Sequence, residues 1–104
     1  MSTQKRRIRN QKNIVFEGRT YIVDFDLLKH YSDFFYNSED DYRDVSNINI
    51  PEELHEVNDQ SITIFLKFIH NDNINEDINE SNIFGLRQLC NHYEVPELKE
   101  LVED

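Results

Sequence analysis

Residues 13–35 read NIVFEGRTYIVDFDLLKHYSDFF. Ile14 and Phe16 sit two positions apart, Glu17-Gly18-Arg19 supplies a turn, and Tyr21 and Val23 sit two apart again. That period puts each pair on one face of a strand, so the stretch reads as a short β-hairpin. A helix follows from about Asp24 or Asp26, an acid at its start favouring the helix dipole. Leu27, Leu28 and Tyr31 make its expected buried stripe, with Phe34 and Phe35 closing a second helical turn.

Outward from this stretch the order of elements continues to alternate. Residues 37–47, NSEDDYRDVSN, are polar and acidic around a single aromatic, Tyr42, and read as a surface loop. Ile48 and Ile50 flank Asn49 before Pro51, a short strand that proline ends. Residues 51–58 form a connector with a helical turn, and Asn58 or Asp59 caps the next helix. In SITIFLKFIH, Ile62, Phe65, Leu66 and Ile69 form one stripe while Ile64 and Phe68 lie off it, the pattern of a central helix buried on two sides. NDNINEDINES reads as loop, with Ile74 and Ile78 turned inward. Asn79 or Ser81 then caps a helix with Leu86, Leu89, Cys90 and Tyr93 at i, i+3, i+4 and i+7. Val95-Pro96 ends it, and Pro96 suits the first turn of a last helix facing inward through Leu98, Leu101 and Val102.

At 104 residues the chain has room for one core. No apolar run has the length of a membrane span, and the N-terminus lacks the apolar stretch of a signal peptide. The single cysteine cannot close an internal disulfide, which suits a reducing compartment, cytoplasm or nucleus. Charge is unevenly placed. Lys5, Arg6, Arg7, Arg9 and Lys12 put five of the 11 basic side chains in the first dozen positions, where no acid occurs. Six basic side chains remain against 21 acids, so a basic tail, residues 1–12, precedes a strongly acidic domain, residues 13–104. The tail reads as a disordered solubilising extension, with a nuclear-import or RNA-touching arm as the alternative. An acidic body repels nucleic acid and biases the domain toward basic partners.

Catalytic patterns are weak. Cys90 and His92 are too close for a usual zinc pair and point to different faces of a helix; Cys90 reads as a small core residue. There is no nucleophile elbow, glycine-rich phosphate loop or HExxH. The acidic runs Glu39-Asp40-Asp41 and Glu52-Glu53 lack the ordered oxygen ligands of a calcium loop and read as solvated surface. The reading is therefore a non-enzymatic domain without metal or cofactor.

Tyr21, Asp24, Leu28, Ser32 and Phe35 fall at the spacing F-x-x-H-x-x-x-L-x-x-x-S-x-x-F that opens the BTB/POZ fold, with Asp24 where the family often has His. Residues 65–70, FLKFIH, resemble the family's F-x-x-x-L-x-F-I-Y helix end, and residues 89–98, LCNHYEVPEL, its A-x-x-L-x-V-P-x-L helix junction. The resemblance covers about residues 13–103. It implies an α+β fold, BTB/POZ-like, with a small mixed sheet led by the N-terminal hairpin and packed with about five helices. It further implies a protein-interaction module, either an adaptor that binds a cullin-type ubiquitin ligase scaffold or a self-associating domain. Cullin-binding members often carry a hydrophobic-x-Glu motif in the loop before the third strand, and Tyr42-Arg43-Asp44 is the nearest equivalent here. Tyr42 would anchor in a partner pocket with Asp44 as the charged orienter, or Tyr42 would fold back over the core. The position of Asp24 belongs, in many members, to a charged pocket near the dimer interface; here Asp24 changes which partner is accepted or caps the helix, and capping is the favoured reading. The twelve residues before the hairpin hold too little apolar surface for a swapped dimer helix, which marks the short form of the family.

Overall fold

The computed structural model describes residues 10–103. Strands β1 (Gln11–Phe16) and β2 (Arg19–Asp24) pair antiparallel as the predicted hairpin, with Ile14 opposite Tyr21. The two-residue turn has positive φ at both Glu17 (49°) and Gly18 (79°), the backbone that matches the twist of the flanking strands. β3 (Asn47–Asn49) joins β1 in parallel, with Ile14 opposite Ile48, giving a mixed sheet in the order β2-β1-β3. Ile14, Val23 and Ile48 are buried on its inner face, whereas Ile22 stands half-exposed on the other face. β1 begins earlier than expected, and Gln11 and Lys12 belong to the sheet, a correction to the tail boundary at residue 12. Lys12 falls on the inner face in register with Val23 and is only 6% exposed. Its Nζ donates to the Val45 carbonyl at 2.7 Å and lies 4.9 Å from the centre of the Phe25 ring, so the buried charge is not left without partners. Of the rest of the expected tail, Asn10 accepts from the Phe25 N–H at 2.8 Å through its carbonyl, and residues 1–9 lie outside the described residues.

Five α-helices follow, as the motif order implied: α1 (Phe25–Tyr31), α2 (Asp33–Asn37), α3 (Asp59–Ile69), α4 (Ile83–Tyr93) and α5 (Pro96–Val102). A 3₁₀ turn, Glu39–Tyr42, lies between α2 and β3. α3 is the central helix. Ile62, Ile64, Phe65, Leu66 and Ile69 are all buried, which requires neighbours on two sides. Its start is fixed by a reciprocal cap: the Asn58 side chain accepts from the Ser61 N–H at 2.9 Å, and the Ser61 Oγ accepts from the Asn58 N–H at 2.9 Å.

Two helix details differ from the sequence expectation. α4 starts after Asn82, not Asn79 or Ser81, because Asn82 turns its amide back onto the preceding loop. The Asn82 side chain accepts from the Asn79 N–H and donates to the Asp77 carbonyl, both at 2.9 Å. In α5, Leu98 and Val102 are buried but Leu101 is 45% exposed. A helix of under two turns that packs on α4 needs only the i, i+4 pair inward, and Leu101 rotates out of that narrow stripe.

Candidate interaction surface

Of the three sequence-selected residues, Asp24 ends β2, Tyr42 ends the 3₁₀ turn, and Asp44 lies in the turn that follows it. Asp24 caps α1: its carboxylate accepts from the Asp26 N–H at 3.0 Å, so the side chain is spent on the helix start. Its own N–H donates to His70 Nε2 at 3.2 Å, tying the strand end to the end of α3.

Ser32 sets the angle between α1 and α2. It is the C-cap of one helix and the N-cap of the other, is fully buried, and its Oγ accepts from the Phe35 N–H at 3.1 Å. The same hydroxyl donates to the Tyr93 carbonyl, and the Asp33 N–H donates to the Glu94 carbonyl at 2.9 Å. The kink is thereby fastened to the α4–α5 junction, where Glu94 adopts a left-handed φ of 56°. The Ser32 backbone N–H closes α1 on the Leu28 carbonyl while its hydroxyl opens α2, so one residue serves both helix ends.

Phe35 enters an aromatic cluster beneath this kink. It stacks on Tyr93 (5.0 Å, 19°) and meets Phe25 edge-on at 5.7 Å. Tyr42 belongs to the same cluster, edge-on to Phe35 at 5.2 Å and within 6.4 Å of Phe34. Burial, helped by the charge of Asp41, raises the Tyr42 hydroxyl above its ordinary range. Of the two readings of Tyr42, the packing matches the one that folds it over the core. Asp44 is exposed in the turn that follows, and the two side chains are not presented together. Sequence reading missed Tyr36, which is 67% exposed on α2. With Asp26, Lys29, His30 and Glu39 it lines a shallow depression of about 290 Å³. Lys29 bridges this surface, 2.7 Å from Glu39 and 3.7 Å from Asp26, and the bond to Glu39 raises its pKa.

Cys90 lies in the core as expected, and desolvation pushes its thiol up to about 12, which keeps it neutral at physiological pH. His92 packs edge-on to Tyr93 at 4.6 Å and lies 5.8 Å from Phe34. Among the described residues, no three His, Cys, Asp or Glu side chains gather where they could hold a metal ion, and no helix is long and apolar enough to cross a membrane.

No family model matches the sequence, and no curated protein matches it. Among solved structures it is similar to the BTB (Tramtrack and Bric a brac) domain of human gigaxonin, with a TM-score of 0.66 and 16% identity over 89% of this chain and 74% of that one. The chain has a BTB-like α+β fold, the mixed three-stranded sheet and five helices implied by the ordered motifs.

Proposed function

We propose that this chain is a protein–protein interaction module that works by rigid presentation of the α1–α2 face. The observation that carries this reading is Tyr36: a large aromatic held two-thirds exposed on a helix whose start is locked by the buried Ser32. Exposed aromatics on rigid elements are favourable anchors, since little conformational entropy is lost when they enter a partner's pocket. The BTB-like fold supports the same class of function. In its finer form the module is an adaptor for a cullin-type ubiquitin ligase. α2 and the segment before β3 would then engage the scaffold, with Tyr36 as anchor and Tyr42 as support from the core.

Self-association is the second reading, and one observation favours it. Ile22 is 51% exposed on β2, an outer strand of the sheet, where a second copy would cover it.

Affinity purification of the tagged chain from its native extract, followed by mass spectrometry, separates these readings. Recovery of a cullin, lost in Tyr36→Ala while the thermal melt is unchanged, supports the adaptor. Recovery of only the untagged copy, lost in Ile22→Lys, supports self-association. If neither substitution changes what is recovered, presentation by these two faces is wrong.

A further inference from the structure

A concavity of about 670 Å³ lies at the far end of the sheet from the α1–α2 face, where β1 and β3 end beside the 51–57 connector. Its floor is apolar, from Phe16, Ile50, Leu54 and the buried Val57, while Glu17 and Glu52 stand exposed on its rim. Among the described residues, His55 alone of the lining side chains can carry positive charge. Arg19, next to this turn, is 3.3 Å from Asp59 and is thereby drawn to a different acid.

Beside the groove the sheet is open. β3 is an outer strand, and its backbone faces β1 through the Ser46 carbonyl, which accepts from Asn13 N–H at 2.8 Å, and the Ile50 N–H, which donates to Val15 at 3.1 Å. Alternation along a strand then turns the backbone groups of Asn47 and Asn49 toward the open side. Unpaired edge groups are a template for an added strand, with main-chain bonds giving affinity and side-chain pockets giving selectivity.

We propose that this groove and edge receive an extended basic segment of a partner protein, whose apolar side chain fills the floor while a flanking lysine or arginine meets Glu17 and Glu52. The choice of a basic occupant rests on charge complementarity: two carboxylates frame an apolar floor in a chain of net charge -10. An acidic or neutral segment would leave both carboxylates partly desolvated and unmatched. The inference rests on the reading of the chain as an interaction module but uses a face separate from Tyr36, so the two fail independently.

Fluorescence anisotropy on the full chain tests it, using a short labelled peptide that alternates lysine and valine beside one that alternates glutamate and valine. Binding of the lysine peptide alone is expected, weakened about tenfold in Glu17→Lys/Glu52→Lys and unchanged in Asp40→Lys/Asp41→Lys and in Tyr36→Ala. All the substituted side chains are exposed, so the fold is retained. Equal weakening by the Asp40/Asp41 pair would assign binding to the general acidic field and overturn the proposal. So would absence of binding, or equal binding of the glutamate peptide. Tighter binding after removal of residues 1–9 would give the groove to the chain's own basic segment and overturn the partner assignment. Loss in Tyr36→Ala alone would move binding to the α1–α2 face, leaving the module reading intact and this site refuted.

Discussion

Ser32 shows how much one small side chain can decide. Its hydroxyl accepts from the Phe35 N–H and donates to the Tyr93 carbonyl, with no solvent to replace either bond. Ser32→Ala removes a helix cap and leaves a buried carbonyl short of a donor, and is expected to cost about 2–3 kcal/mol in urea unfolding. A loss below about 0.5 kcal/mol would show that the α1–α2 kink is set by the aromatic packing instead. Leu28 and Phe35 were legible from the helical stripe they extend, and Ser32 only from the BTB/POZ-like spacing it shares with them. Tyr42 and Tyr36 were not. A sequence places an aromatic in a loop or on a short helix but does not say which way the chain turns there, and here Tyr42 turns in and Tyr36 out. Lys12 was hidden for a different reason: its charge argued for solvent, and only the Val45 carbonyl and the Phe25 ring make its burial affordable.

Between elements, α4 packs closely against α3 and the connector before it. Gly85 is buried in α4, and a Cβ there would sit 2.4 Å from the Ser61 Oγ and 2.7 Å from the Glu56 carbonyl. Glycine is required here by close approach. Although alanine is the better helix former, Gly85→Ala is expected to destabilise by about 1–3 kcal/mol, since the obstruction includes backbone that cannot swing away. A neutral or stabilising effect in thermal unfolding would mean that the helices separate freely at this point. The periodicity of α3 and α4 was readable in full, because both helices are long enough for the i, i+3, i+4 repeat to show. α5 was read with one residue too many inside, since seven residues do not define a stripe sharply enough to exclude Leu101. The start of α4 was misplaced because Asn79, Ser81 and Asn82 are all good capping residues, and the loop hydrogen bonds that choose among them are not written in local sequence.

For the molecule as a whole, self-repulsion of like charge is the dominant electrostatic fact. The 21 acids are opposed by 11 basic side chains, five of them in the first dozen residues. Pairs such as Arg19–Asp59 and Arg43–Asp40 are exposed and contribute little. Adding sodium chloride from about 0.02 to 0.5 M is therefore expected to raise the urea midpoint, because screening relieves repulsion more than it weakens these pairs. A midpoint that falls with salt would mean that attractive pairs, Lys29–Glu39 and Lys67–Asp77 foremost, outweigh the excess acid.

The pairing of β3 with β1 has a consequence in time. Asn13 and Asn47 meet across a separation of 34 residues, through a strand only three residues long. Hairpin and helix-pair contacts are local and form without closing a large loop, whereas this strand must wait for the chain between to be gathered in. β3 is then expected to dock last and leave first, which weaker amide-exchange protection at Ile48 than at Ile14 would report. The edge offered to a peptide would on that order also be the shortest-lived part of the sheet, its opening rate an upper limit on how long any strand added there can stay.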